Sequence, residues 1–226
     1  MGVGDGLLAR YGSTAGAAAY RDKYDRSWSR RLSAGRERSL LRRALSRAGT
    51  EGEVLDVPCG AGRMVPVLLE RASRVTALDL SPAMTAEATR ALAAPIAAGR
   101  VVVGEGSVER IEAADRAFDT AVCWRLLHHL TDPADRARAL EELGRVVRRA
   151  VIVTFADADA WKARSQRRRG RDRRCVTLTR DALAREARAA GLDLEATWRL
   201  AGAFSLLAVA LLRPAGRTGP EPTARA

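Results

Sequence analysis

Aromatic residues and histidine are scarce in this chain of 226 residues, which has ten aromatic side chains and two histidines. A protein that stacks unpaired bases on aromatic rings needs more of them, so the composition disfavours a base-stacking platform. Cys59, Cys123 and Cys175 have no metal-site spacing and no pairing pattern, which predicts free thiols in a reducing cytoplasm. The longest apolar run, residues 201–212, is too short to span a bilayer, and residues 1–10 lack a signal-peptide pattern. These absences predict a cytoplasmic protein without a membrane span.

Lysine is nearly absent as well, since 37 of the 39 basic residues are arginine. The formal net charge is +12, and residues 21–47 and 162–174 each carry +7, so the other 186 residues sum to −2. The arginine excess is typical of a GC-rich coding bias, which predicts a solvated loop at residues 162–174. The clustering favours a basic rim that attracts an anionic partner, with nucleic acid among the candidates.

Residues 54–64 read VLDVPCGAGRM and carry the most information in the chain. An apolar run that ends in Asp56, a tight turn with Gly60 and Gly62, and a helical pattern predict a strand, a loop and a helix start. Glycine lets the backbone approach a ligand closely, and the helix N-terminus offers free N–H groups. A dinucleotide-binding fingerprint would have a third glycine at position 65, where this chain has Val65. A bound phosphate would not be stabilised by the negative charge of Asp56. The pattern therefore argues against a nicotinamide oxidoreductase and favours a cationic, amine-bearing ligand.

A second strand is predicted at Val75–Leu80, where Asp79 could accept both hydroxyls of a ribose. Ser81 and Pro82 then predict a helix start, and Thr179 predicts another. The remaining predicted elements are strands at 101–103, 118–124, 151–155, 194–200 and 205–212, helices at 15–31 and 36–48 that could also be one, and a helix at 133–149.

Four features in this order resemble the class I S-adenosylmethionine (SAM)-dependent methyltransferases over residues 53–155: LDVPCGAGR, ALDLS, Gly106 before FD, and CWRLLHHL before a helix that ends in GRVVRR. The resemblance implies an α/β, doubly wound, Rossmann-like fold with a seven-stranded sheet, its last strand antiparallel, and N-terminal helices. It implies SAM as cofactor and methyl transfer to an oxygen or nitrogen of a small, polar or anionic molecule. The predicted organisation is an N-terminal helical segment at 1–48, a methyltransferase domain at 49–213 and a disordered tail at 214–226. The N-terminal segment either packs on the domain edge or closes over the site as a lid.

The resemblance also implies roles for single residues. The residues expected to bind the cofactor are Asp56, Pro58, Gly60, Gly62, Asp79, Leu80, Ser107, Val108 and Cys123. Asp56 is expected beside the methionine amino group and Asp79 at the ribose hydroxyls. Ser107 stands where the family usually has an aspartate that accepts from the adenine amine, which predicts modest cofactor affinity. Pro58 stands where glycine is frequent, which predicts a stiffer turn.

The acceptor side of the site is less defined. His128 and His129 follow the fourth strand, at the edge where doubly wound sheets bind ligands, and either is a candidate general base. The alternative, a hydrogen-bonded structural histidine near the cofactor, stays open. The residues that could contact the acceptor are Tyr24, Trp28, Arg125, Arg167, Arg168 and Arg169.

Two rival functions are weighed against a small-molecule methyltransferase. An RNA- or DNA-modifying methyltransferase is favoured by the arginine segments, but residues 123–126 lack the Asn/Asp-Pro-Pro-Tyr type of tetrad that amino methylation of a base uses. A non-catalytic partner protein with the same fold is disfavoured by the intact acids and glycines of the cofactor motifs.

Overall fold

The computed structural model describes residues 28–161, 163, 165, 175–203 and 205–216, and for residues 28–32 and 201–203 it describes the backbone alone. The described helices are α1 (Trp28–Ala48), α2 (Val65–Leu68), α3 (Pro82–Ala91), α4 (Ala93–Ala97), α5 (Pro133–Val146) and α6 (Arg180–Ala189). The strands are β1 (Glu53–Asp56), β2 (Arg74–Asp79), β3 (Val101–Glu105), β4 (Phe118–Cys123), β5 (Val147–Ala156), β6 (Leu192–Ala203) and β7 (Leu207–Pro214). Within these residues, no helix is long and apolar enough to cross a membrane.

The seven strands form one sheet in the order β3-β2-β1-β4-β5-β7-β6. The five strands from β3 to β5 run parallel, whereas β7 pairs antiparallel with both β5 and β6. The predicted doubly wound sheet with an antiparallel last strand is therefore confirmed. The chain moves outward from β1 to β3 and then returns to β4 on the other side of β1. This reversal creates a crevice at the carboxyl ends of β1 and β4, where doubly wound sheets bind ligands.

Two apolar layers cover the two faces of the sheet. Because successive side chains of a strand point to opposite faces, Val54 lies in one layer and Leu55 in the other. Ala121 and Val122 divide in the same way on β4. All four side chains are fully buried, so the central strands are rigid supports for the residues that follow them.

Helix α1 packs on one of these layers. Leu41, Ala44, Leu45 and Ala48 are fully buried at a spacing of three to four residues, which is the apolar stripe of a surface helix. The helix is continuous through Gly35, so its described part has no break between the two predicted segments.

Strand and helix limits differ from the predicted ones at the second half of the sheet. The helix predicted at 133–149 ends at Val146, and β5 begins at Val147, four residues earlier than predicted. Val147 is buried and pairs with Phe118. Pairing with β4 therefore makes Val147 and its neighbours part of a strand, although their local sequence pattern is also compatible with a helix. Strand β6 is longer than the predicted 194–200, whereas β7 has the predicted length and begins two residues later than predicted.

Helix starts follow the predicted caps. The Ser81 side chain accepts a hydrogen bond from the Met84 N–H, and Thr179 accepts from Ala182. These bonds satisfy N–H groups that the first helical turn leaves without partners.

Candidate cofactor and acceptor site

The turn after β1 is fixed between the two neighbouring strands. Val57 N–H donates to the Val122 carbonyl over 2.9 Å, and Cys59 N–H donates to the Leu78 carbonyl over 2.8 Å. Pro58, predicted to stiffen the turn, lies between these two anchors and follows a cis peptide bond. The turn therefore has backbone bonds to β4 on one side and β2 on the other.

Gly60 and Gly62 both have positive φ angles, 55° and 75°. That region of backbone space is open to glycine and strained for most other residues. A Cβ on Gly62 would also lie 2.7 Å from the Leu92 Cδ1 atom, so any larger residue would require the Leu92 side chain to shift.

Asp56 ends β1 at the floor of the crevice and is 1% exposed. Neither carboxylate oxygen has a hydrogen-bond partner within the described part of the chain. Burial, reinforced by the charge of Asp79 and opposed by that of Arg63, raises the pKa of Asp56 to about 8. An unpartnered buried carboxyl is costly, and its cost is removed when a ligand supplies a cationic donor.

Asp79 ends the adjacent strand β2 and holds the same turn. Its Oδ2 accepts from the Gly60 N–H over 2.8 Å, and its Oδ1 accepts from the Ser81 N–H over 2.9 Å. Burial raises the pKa of Asp79, and these two hydrogen bonds oppose the rise. Each carboxylate oxygen can accept a further hydrogen bond. Leu80 beside it is 44% exposed, an open apolar side chain next to the acid.

The third predicted contact region lies beyond β3. Ser107 Oγ accepts a hydrogen bond from the Glu109 N–H over 3.2 Å, so the hydroxyl stabilises its own turn. Its hydrogen is then available to an outside acceptor, and a remaining lone pair to an outside donor. Val108 is 6% exposed and packs into the core.

At the end of β4, Cys123 lies next to the Asp56 carboxyl. Burial, with a smaller contribution from the charge of Asp56, raises the pKa of the Cys123 thiol, and the same two causes raise that of Cys59. Both thiols therefore stay protonated, which makes them packing residues and poor nucleophiles.

Trp124 and Arg125, which follow β4, connect the crevice to helix α1. Arg125 has a φ of 63°, and its N–H donates to Thr154 Oγ1 over 2.6 Å. Its guanidinium donates to Glu37 Oε1 over 2.8 Å. Glu37 Oε2 accepts from Trp124 Nε1 over 3.1 Å and from Arg63 Nη2 over 2.5 Å. The Glu37 side chain is 1% exposed, so one buried carboxylate binds three donors from two loops.

This cluster around Glu37 was not predicted. In the sequence, Glu37 stands between two arginines in a strongly basic segment, which is the pattern of a solvated helix face. Arg125 was predicted to contact cofactor or acceptor, and that contact stays a prediction; in the structure its guanidinium pairs with Glu37. The sequence offered one signal for this cluster, Arg63 after the glycine turn, because a cation beside a ligand-binding loop needs a counter-ion.

His128 and His129 form a short 3₁₀ turn after β4 with ring centroids 4.2 Å apart. His128 Nδ1 is buried and accepts no hydrogen bond from any described residue. Burial, followed by the charges of His129 and Arg125, lowers the pKa of His128 to about 3. The His128 ring is therefore neutral at physiological pH.

The connection after β5 begins and ends at the same edge of the sheet. Asp157 Oδ2 accepts from Arg199 over 2.6 Å, and Val176 N–H donates to the His128 carbonyl over 2.9 Å. Trp161, in between, is 57% exposed. The chain that follows the basic segment at residues 162–174 therefore passes His128 at Val176. Tyr24, Arg167, Arg168 and Arg169 lie outside the described residues, as does the side chain of Trp28.

Comparison with known proteins agrees with this geometry. The sequence profile of the family described as "Methyltransferase domain" matches residues 54–150. A ubiquinone biosynthesis O-methyltransferase of Pseudomonas paraeruginosa is 34% identical over 100 residues, which are 43% of this chain and 42% of that protein. Its counterpart in Nitrosospira multiformis is 28% identical over 153 residues, 63% of each chain. The matches thus span less than two thirds of these relatives.

Solved structures share the fold at low sequence identity. Magnesium protoporphyrin IX methyltransferase from Synechocystis PCC 6803, with bound SAH, superposes with a TM-score of 0.76 at 16% identity. That match covers 92% of this chain and 99% of the other. A SAM-dependent methyltransferase from Clostridium acetobutylicum gives a TM-score of 0.68 at 13% identity, over 88% and 99% of the two chains. Residues 54–150 therefore match a methyltransferase domain, and the sheet of this chain has the fold of solved S-adenosylmethionine-dependent methyltransferases.

Proposed function

We propose that the protein transfers a methyl group from SAM to an oxygen or nitrogen of a small, polar or anionic molecule. The observation that carries the proposal is the Asp56 carboxyl, buried without a partner at the switch point of the sheet. SAM supplies a methyl group already activated by a positively charged sulfur, so the protein must mainly position the acceptor and exclude water.

The residues present fit this cofactor. Asp56 is suited to its amino group, because an ammonium donor satisfies both the charge and the open hydrogen-bonding capacity. Asp79 keeps lone pairs for the ribose hydroxyls while its two backbone bonds fix its orientation. Leu80 offers an apolar surface beside it, and Ser107 and Val108 are the proposed neighbours of the adenine.

His128 is the residue we propose to receive the acceptor's proton. Its neutral ring has a buried Nδ1 without a partner among the described residues, and this atom can accept a hydrogen bond from a hydroxyl. A pKa of about 3 makes it too weak to ionise a hydroxyl in advance. An oxygen that is gaining a methyl group becomes a strong acid, however, so even a weak base can take its proton as the new bond forms.

An oxygen acceptor is supported by the relatives, whose names describe O-methyltransferases of ubiquinone biosynthesis. An anionic acceptor is supported by the +7 charge of residues 162–174, since the chain just after this segment bonds to the His128 carbonyl through the Val176 N–H. The exposed Trp161 adds an aromatic surface at the same edge, which suits an acceptor with a flat apolar part.

Transfer of a radioactive methyl group from SAM tests the proposal. The purified protein is offered simple phenols, the same phenols carrying a carboxylate, primary amines and total RNA. Label in the carboxylate-bearing phenols above the uncharged ones supports the proposal. Label in RNA alone, with a length-dependent retention on filters that falls steeply with salt, would replace it with a nucleic-acid function.

A further inference from the structure

The buried carboxylate of Glu37 lies next to the glycine turn that carries Gly60 and Gly62. It accepts hydrogen bonds from Arg63, Trp124 and Arg125, and its side chain is 1% exposed. Arg63 directly follows Gly62 of the turn, and Arg125 follows β4, so both cations border the crevice. Charge-assisted bonds of this kind are short and about twice as strong as neutral ones.

Arg63 has a second carboxylate within its electrostatic reach. Its charge opposes the rise in the pKa of Asp56, which shows that the two groups sense each other. Asp56 nevertheless accepts no hydrogen bond from any described residue, whereas Glu37 accepts one from Arg63 over 2.5 Å. Breaking a buried ion pair by removing one partner costs several kcal/mol, so an Arg63 without Glu37 would gain strongly by turning to Asp56.

We propose that Glu37 is a positioning residue that holds the Arg63 guanidinium away from Asp56 and so keeps that carboxyl open to the amino group of SAM. The inference rests on the proposed cofactor role of Asp56. In this arrangement helix α1 supplies the counter-ion of the glycine turn. The Trp124 indole orients the carboxylate, and Arg125 binds its second oxygen.

The ionisable groups around Asp56 define what a binding experiment should detect. They are Asp79 from β2, Arg63 from the turn, and the thiols of Cys59 and Cys123. Since Asp56 has a pKa of about 8, most of the free protein carries a proton there at pH 7. An ammonium group that pairs with the carboxylate displaces this proton. Binding of SAM at pH 7 should therefore release about one proton, which titration calorimetry in buffers of different ionisation enthalpy measures.

Glu37→Gln is the decisive variant, because the amide keeps the shape and loses the charge that holds Arg63. SAM binding should weaken by about tenfold or more, and the released proton should be lost because Arg63 already pairs with an ionised Asp56. Adding Arg63→Met to Glu37→Gln should restore most of the affinity and the proton release. The matched control is Glu186→Gln, which breaks a bidentate pair with Arg136 away from the turn and should change neither quantity.

Unchanged affinity and proton release in Glu37→Gln would overturn the inference, as would a double variant no better than the single one. If Glu37→Gln does not fold, Glu37→Asp is measured, because one methylene fewer draws the carboxylate back from the two guanidinium groups. SAM affinity and proton release on binding are then compared between Glu37→Asp and the wild type in the same way. Asp56→Asn separates the two proposals: wild-type affinity there refutes the cofactor role itself. Lost affinity there, with a normal Glu37→Gln, refutes only the role of Glu37.

Discussion

Replacing Asp56 by asparagine should stabilise the protein without ligand, although it removes a residue of the cofactor site. The Asp56 carboxyl is buried without a partner, and its pKa of about 8 lies far above its ordinary value of 3.8. Between these two values the folded state keeps a proton that the unfolded chain releases. Asparagine has nearly the same shape and does not titrate.

The size of the effect follows from the width of this pH window. Each pH unit in which only the folded state holds the proton costs about 1.4 kcal/mol. The stability of the wild type should therefore fall relative to Asp56→Asn as pH rises from about 4 to about 8, and stay level above. At pH 7 the variant should be more stable by about 4 kcal/mol, on an order-of-magnitude basis.

Urea denaturation of both proteins at pH 5, 6 and 7 measures this difference. Glu142→Gln is the control, because a hydrogen bond from Arg145 lowers the pKa of Glu142 below its ordinary value. A lowered pKa gives stability that is complete above the unfolded value of 4.5 and lost only at more acid pH. Its difference from the wild type should thus be constant from pH 6 to 7. A constant difference for Asp56→Asn over the same range would refute the reasoning.

The other predictions concern binding and turnover. Asp79→Ala should weaken SAM binding by about 1.5–3 kcal/mol, the range of charge-assisted hydrogen bonds; unchanged calorimetric affinity in a folded variant would contradict the ribose assignment. His128→Ala should lower kcat by roughly 10²–10⁴ with SAM affinity kept, and wild-type kcat at saturating cofactor should show no inflection near pH 6.5, since the His128 pKa is lowered to about 3. A loss under about tenfold would return His128 to a structural role. Neutralising Arg167, Arg168 and Arg169 together should raise the acceptor KM and flatten its salt dependence, because exposed charges are screened within about 8 Å at physiological salt; a normal KM would make the segment a solvated loop.

The sequence was sufficient for the sheet and for the acids at its crevice because those signals are local. Asp56 and Asp79 each end an apolar run, and Ser81 and Thr179 start helices by bonds within three residues. The doubly wound, seven-stranded sheet with an antiparallel last strand followed from the family resemblance, and the structure confirms it.

The cluster around Glu37 could not be predicted, because its members are far apart in the sequence. Glu37 and Trp124 are 87 residues apart, and neither lies in a pattern that points to the other. Similarly, the end of α5 at Val146 depends on the pairing of Val147 with Phe118 across the sheet. Local periodicity does not contain that information, since tertiary contacts override it.

Calorimetric titration of SAM into the wild type and Asp56→Asn at pH 7, each in two buffers of different ionisation enthalpy, tests the central claim most directly. The account predicts that the wild type releases about one proton on binding. It also predicts that Asp56→Asn releases none and binds about tenfold or more weakly. Equal affinity and equal proton release in the two proteins would contradict the assignment of Asp56 to the cofactor amine.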